Sequence, residues 1–165
     1  MAWRHGIILE MHRVGNRGNL ASFVKNLVSE RKIQVRVGSS LSTPMELSEG
    51  TPQGSILSCT LFLMAINNIS NRLPVNVYCT LYVDDFSIYS SGQVPNIIER
   101  HLQVALNGLQ RWGDETGFQF SRNKNTTMHI CRKNRCCRAV SHLTLYGTAL
   151  QCVQTHKFLG VTIDH

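Results

Sequence analysis

Tyr82-Val83-Asp84-Asp85 sets two adjacent carboxylates inside a run of β-branched and aromatic residues. Val77-Tyr78-Cys79-Thr80-Leu81-Tyr82-Val83 favours extended structure before the acids, and Phe86-Ser87-Ile88-Tyr89 favours it after them. Asp-Asp suits a turn between two strands, so the expectation is a hairpin carrying both acids at its tip. Adjacent anions repel, and a bound cation offsets that repulsion. Carboxylate oxygens suit Mg²⁺, a hard cation. Standing alone, the same dipeptide reads as a solvated polar turn.

Upstream, Gly50-Thr51-Pro52-Gln53-Gly54-Ser55-Ile56-Leu57-Ser58 leads from a loop into an apolar helix. Gly54 lets a backbone approach a ligand closely, and the Gln53 amide can both donate and accept. Ser55 is placed to cap the helix, whose first N–H groups then point toward the loop. By itself this is an ordinary loop-to-helix junction.

Several elements must position these residues. Trp3, Ile7, Ile8 and Met11 have helical spacing, and a second helix is expected from Asn19 to Ser29 with Leu20, Phe23, Val24 and Leu27 on one face. Lys32 to Val37 alternates as a half-exposed strand, Gly38-Ser39-Ser40 turns the chain, and a return strand is expected around Pro44 to Leu47. An apolar helix should run from Ser55 to Arg72, ended by Pro74. Ile98, Leu102, Ala105, Leu106, Leu109 and Trp112 define an amphipathic helix from Pro95 to Thr116, with Gly117 as its stop. Strands are expected near Phe118 to Phe120, Thr127 to Cys131, Leu143 to Tyr146 and Lys157 to Ile163. No repeat or linker interrupts this order. The fold class expected is α+β, one domain of residues 1–165 with helices packed on an antiparallel sheet.

The chain has 165 residues, 42 % hydrophobic and 16 % charged, the composition of a globular protein rather than a disordered one. Its formal charge is +7, from 17 Lys and Arg against 10 Asp and Glu, which favours a polyanionic partner. Arg122, Lys124, Arg132, Lys133, Arg135 and Arg138 follow one another with no acid between them, as in a solvated loop or a nucleic-acid contact. The six cysteines fit no disulfide framework, and the N-terminus has no apolar signal region; reduced thiols and an intracellular, nuclear or cytoplasmic location are expected. His129, Cys131, Cys136, Cys137 and His142 lack a zinc-site spacing. Ile56 to Ile66 is too short an apolar run for a membrane span, and no membrane partner is expected.

In order and spacing the two candidate sites resemble the palm of reverse transcriptases, in particular those of jockey-like non-LTR retrotransposons. Pro52-Gln53-Gly54-Ser55-Ile56-Leu57-Ser58 with Leu61-Phe62 is similar to motif B, and Tyr82-Val83-Asp84-Asp85 to motif C. Gly117-Phe118 through Ser121 and Lys124 is similar to motif D, and Lys157-Phe158-Leu159-Gly160 to motif E. Trp3-Arg4-His5-Gly6-Ile7 resembles the residues that follow motif A. One departure is Asn125, where related sequences carry Thr or Ser after the motif D lysine.

The resemblance implies RNA-directed DNA polymerisation: two-metal-ion transfer of deoxynucleotides to a primer 3′-OH, with Mg²⁺ or Mn²⁺ as cofactor. It implies that Asp84 is the main metal ligand, that Asp85 assists, and that Tyr82 supports the hairpin and primer end. Gln53, Gly54 and Ser55 would line the nucleotide and template side. Lys124 would stabilise or protonate the departing pyrophosphate, and Lys157, Phe158, Leu159 and Gly160 would form the primer grip. Partners implied are an RNA template, a DNA primer, deoxynucleoside triphosphates and the remainder of a retrotransposon polyprotein. The fold implied is a palm-type sheet that is incomplete, with the motif A strand, most of the fingers and the thumb outside the chain. Glu10, Glu30, Glu46 and Glu49 match no part of motif A, whose aspartate is the third metal ligand. The expectation is a fragment that is inactive or nearly so in isolation. The alternative is a non-catalytic nucleic-acid-binding or degenerate remnant, with a group II intron maturase or viral RNA polymerase as a lesser reading.

Overall fold

The computed structural model describes residues 4–47, 50–52, 54–121, 123–131 and 142–164. Trp3, Glu49, Gln53, Arg122 and the run 132–141, with Cys136, Cys137 and four basic residues of the Arg122 to Arg138 stretch, lie outside them. The chain divides into two compact units, Met1–Asn68 with Glu115–Phe118, and Ile69–Asp114 with Gln119–His165.

The first unit holds α1 (Arg4–Arg13), α2 (Asn19–Val28), the short strands β1 (Arg31–Ile33), β2 (Arg36–Val37), β3 (Ser40–Leu41) and β4 (Met45–Leu47), and α3 (Ile56–Ile66). Its core joins Ile7 and Met11 of α1, Ala21, Val24 and Val28 of α2, and Leu61 and Ala65 of α3. The buried face of α2 is thus partly turned from the expected one: Val24 is buried and Leu27 packs on the core, but Leu20 and Phe23 are about half exposed. Ala21 and Val28 flank Val24 at helical spacing and supply the apolar stripe instead. The Phe118 ring packs on this core and meets Phe62 edge-on, with centroids 6.1 Å apart. Glu10 is buried and accepts hydrogen bonds from Arg13 Nη1 at 2.6 Å and Asn68 Nδ2 at 2.7 Å.

The strand expected over 32–37 is broken at Gln34-Val35. There the Val35 N–H donates to Ser42 Oγ at 3.0 Å and the Gln34 amide donates to the Ser42 carbonyl at 2.9 Å. Side chains have taken over the ladder's partners, leaving β1 paired with β4 and β2 paired with β3, both antiparallel. The apolar helix also ends earlier than expected. α3 stops at Ile66, and a separate 3-10 helix (Ile69–Arg72) follows Asn67-Asn68, two residues with weak helix propensity.

The second unit contains that 3-10 helix, β5 (Tyr78–Tyr82), β6 (Asp85–Tyr89), most of α4 (Pro95–Thr116), and β7 (Thr126–Thr127), β8 (Thr144–Leu145), β9 (Thr148–Ala149), β10 (Gln151–Cys152), β11 (Thr155–Phe158) and β12 (Val161–Asp164). α4 has the expected bounds: Pro95 begins it, and Gly117 with φ 74° ends it. Leu106, Leu143 and Leu145 form the core, with Ile88, Leu102, Phe120, Tyr146 and Leu150 packed against them. Trp112 is 1 % exposed, its ring 6.2 Å from that of Phe120.

Among the described residues every ladder is two-stranded; five are antiparallel, and β7 pairs with β10 in parallel. The fold mixes helices with small sheets, an α+β arrangement. Phe118 to Phe120 joins no ladder, and Lys157 to Ile163 is a hairpin rather than one strand. The β8 segment shows what replaces a wider sheet. The Thr144 N–H donates to Gln103 Oε1 at 2.8 Å, Gln103 Nε2 donates to the Thr144 carbonyl at 3.0 Å, and the Tyr146 N–H donates to Gln110 Oε1 at 3.0 Å. Glu99 accepts from the His142 N–H in the same series. One face of α4 therefore satisfies a strand edge that a neighbouring strand would otherwise fill. Among the described residues no helix is long and apolar enough to cross a membrane.

Candidate metal and nucleotide site

β5 and β6 pair in register from Tyr78 opposite Tyr89 to Tyr82 opposite Asp85, leaving Val83-Asp84 as a two-residue turn. Val83 has φ 54°, the left-handed region that a β-branched residue rarely adopts. Asp84 shows no positive φ, so the left-handed φ is confined to the first position of the turn. Ser90 Oγ donates to the Asn76 carbonyl at 2.8 Å and closes the base of the hairpin.

Strand alternation divides the hairpin into two faces. Cys79, Leu81, Phe86 and Ile88 lie on one, and Ile88 packs on the Leu106, Leu143 and Leu145 core. Tyr78, Thr80, Tyr82, Asp85, Ser87 and Tyr89 lie on the other, with Tyr82 62 % exposed. Both carboxylates are exposed at the tip. Among the described residues no third His, Cys, Asp or Glu joins them in a group that could hold a metal. Two carboxylates with open coordination fit Mg²⁺, which keeps several waters and takes one or two protein carboxylates besides substrate phosphates.

The motif B-like loop belongs to the first unit. Gly54 has φ 86° and open space where a Cβ would stand. Ser55 is the N-cap residue of α3 but makes no side-chain cap. The Pro52 carbonyl holds the junction instead, accepting from the Ser55 N–H at 3.2 Å and from Ser58 Oγ. Gln53 lies outside the described residues.

Lys124, in the second unit, is exposed on a turn closed by its own N–H donating to the Ser121 carbonyl at 3.3 Å. Lys157 is exposed on β11 opposite Thr162, and half-buried Phe158 lies opposite Val161. Leu159 (φ 49°) and Gly160 (φ 84°) form the turn between β11 and β12, the two positive values of a type I′ hairpin. Tyr82, Asp84 and Asp85 thus share one tip, Lys157 to Gly160 share another, and Lys124 occupies a third turn. Among the described residues no ladder joins the three. Tyr78 and Tyr89 on the Asp85 face were not among the residues read from sequence, although strand alternation from Tyr82 and Asp85 reaches them directly.

Residues 7–163 match the family described as reverse transcriptase (RNA-dependent DNA polymerase). The chain belongs to this family. It is similar to the RNA-directed DNA polymerase from mobile element jockey of Drosophila melanogaster, 25 % identical over 98 % of the chain and 18 % of that protein. The probable RNA-directed DNA polymerase from transposon BS, also of Drosophila melanogaster, is 26 % identical over 98 % of the chain and 18 % of the relative. A retrovirus-related Pol polyprotein from a type-1 retrotransposable element of Nasonia vitripennis is 26 % identical over 69 % of the chain and 29 % of its own length. These relatives are RNA-directed DNA polymerases and polyproteins of non-LTR retrotransposons, and the chain spans 18 % of the length of the first two. No solved structure gives a significant match.

Proposed function

We propose that residues 1–165 are part of one reverse transcriptase domain with a palm-type sheet, acting in RNA-templated addition of deoxynucleotides to a primer 3′-OH. The observation that carries this reading is the pair of exposed carboxylates at the β5–β6 tip, in a chain that matches the family over residues 7–163. Asp84 and Asp85 would hold Mg²⁺ or Mn²⁺. When bound, such ions neutralise the charge that develops on attacking and leaving oxygens.

The chain's own groups then bind and orient. Tyr82, beside Asp85, supports the primer end. Gln53, Gly54 and Ser55 line the nucleotide and template side, where the open space at Gly54 admits a close ligand backbone. Lys124 holds a proton for the departing pyrophosphate, and Lys157, Phe158, Leu159 and Gly160 grip the primer. The partners are an RNA template, a DNA primer, deoxynucleoside triphosphates and the rest of a retrotransposon polyprotein.

As a separate polypeptide these 165 residues are expected to extend primers barely or not at all. No third acid stands with Asp84 and Asp85 among the described residues, and loss of such precise placement costs about 100-fold in rate. Two measurements test the reading. Mn²⁺ should broaden the amide NMR signals of Tyr82, Val83, Asp84 and Asp85, and Asp84→Asn should abolish the effect; broadening centred elsewhere refutes the metal assignment. Primer extension on poly(rA)–oligo(dT) with Mg²⁺ or Mn²⁺ should stay at background; robust extension lost in Asp84→Asn refutes the inactivity of the isolated chain.

A further inference from the structure

Asp114 stands near the C-terminal end of α4, where the negative pole of the helix dipole favours a cation. The last turn of α4 carries no basic side chain. Asp114 is exposed and, among the described residues, makes neither an ion pair nor a hydrogen bond. In a chain of 17 Lys and Arg against 10 Asp and Glu, most acids have a cation within easy reach. This one is set against its own helix and left open.

Asp114 borders a cleft of about 460 Å³ together with Gln119, Phe120, Ser121 and Tyr146, all five in the second unit. That volume lies within the roughly 300–1,000 Å³ of ligand sites. The side chains of Gln119 and Ser121 are exposed and make no hydrogen bond to another described residue. Phe120 and Tyr146 are half-buried. The lining thus combines aromatic rings with acceptor oxygens from a carboxylate, an amide and a hydroxyl.

A carboxylate repels phosphate, so this lining selects against a nucleic-acid strand. Among the described residues Asp114 belongs to no group of His, Cys, Asp and Glu that could hold a metal. A guanidinium answers every feature. It is planar and weakly hydrated, it stacks on aromatic rings, and its five donors can reach several acceptors at once. An ammonium is compact and strongly hydrated, and it uses rings and scattered acceptors less well. We propose that this cleft is a docking site for an arginine side chain of a partner protein. The cleft shares no residue with the Asp84-Asp85 tip, and the proposal does not depend on the polymerase reading.

Amide NMR of the full chain tests this, with the peptide acetyl-Gly-Arg-Gly-amide as probe. The expected result is saturable shifts centred on Asp114, Gln119, Phe120, Ser121 and Tyr146. The same peptide with citrulline, which keeps the shape of arginine and loses its charge, should leave these signals in place, and the lysine peptide should bind more weakly than the arginine one. Asp114→Asn should weaken arginine-peptide binding about threefold or more. Shifts centred elsewhere overturn the proposal, as do equal responses to arginine and citrulline or equal affinity in folded Asp114→Asn. A response that appears only in Arg122→Gln also overturns it, because the chain's own cation then occupies the cleft. If Asp114→Asn fails to fold, Gln119→Ala with Ser121→Ala decides: weaker binding upholds the site, and unchanged binding overturns it.

Discussion

Gly108 lies in the buried stripe of α4, and a Cβ added there would stand 2.6 Å from the Arg72 carbonyl oxygen. Ordinary van der Waals contact begins near 3.4 Å, so Gly108→Ala forces helix and carbonyl apart by about 0.8 Å. Two effects oppose each other. Alanine in a helix interior is better than glycine by about 1 kcal/mol. Overpacking a tight contact costs about 1–3 kcal/mol, and the upper part of that range applies because the obstacle is backbone rather than a flexible side chain. The clash wins by about 1–2 kcal/mol, a fall in Tm of roughly 2–8 °C for a chain of this size. Thermal unfolding followed by circular dichroism measures it, with Arg111→Ala on the exposed side of the same helix as a control expected to change stability by under about 0.5 kcal/mol. A Gly108→Ala chain that melts at or above wild type refutes the reasoning, because propensity alone would then govern the site. The contact matters to the site because Arg72 precedes β5 by only a few residues, and α4 is the support on which the hairpin's Ile88 face rests.

Two further perturbations follow from single residues. Val83 is held at φ 54° and is about half exposed, so Val83→Asn relieves left-handed strain with little lost burial. It should raise stability by about 1 kcal/mol, read as a higher urea midpoint at unchanged slope; a lower midpoint refutes the strain. Glu10→Ala removes the acceptor that joins Arg13 and Asn68, and should cost about 1.5–3 kcal/mol, with Glu10→Gln recovering part of the loss. Equal midpoints for Glu10→Ala and wild type would show that the buried carboxylate holds nothing.

What the sequence disclosed follows the range of the forces that write it. α4 was legible to the residue because periodicity, an initiating Pro95 and a terminating Gly117 are local and agree. The hairpin around Asp84-Asp85 was legible for the same reason, two β-rich runs flanking it at once, but its turn falls one residue earlier, at Val83-Asp84. The turn at Leu159-Gly160 was hidden, since leucine seldom takes a positive φ and its neighbours on both sides favour strand. The parallel pairing of Thr126 with Gln151 and of Thr127 with Cys152 joins segments that no local pattern links. The break at Gln34-Val35 turns on one Ser42 hydroxyl, a choice between side-chain and backbone partners that alternation cannot register. For the site, the residue types at each position were readable, but their grouping was not, because it depends on which ladders form.

That grouping bears on how the tip can function. A lone two-stranded hairpin is marginally stable in water, so β5 and β6 hold their register through the one face that has a core to rest on. Ile88 supplies the anchor, and the glutamines of α4 fix the Leu143–Leu145 layer beneath it by hydrogen bonds to Thr144 and Tyr146. A slip of β6 by one residue would turn Ser87 and Asp85 toward the core side and expose Ile88. Burial of an unpaired carboxylate is strongly unfavourable, so Asp85 itself defends the register that displays it. The same arrangement leaves the outer edges of both strands and the tyrosine face without a ladder partner among the described residues. Support from one side and openness on the other are what the metal site proposed for this tip would need to admit both a nucleotide and the end of a strand.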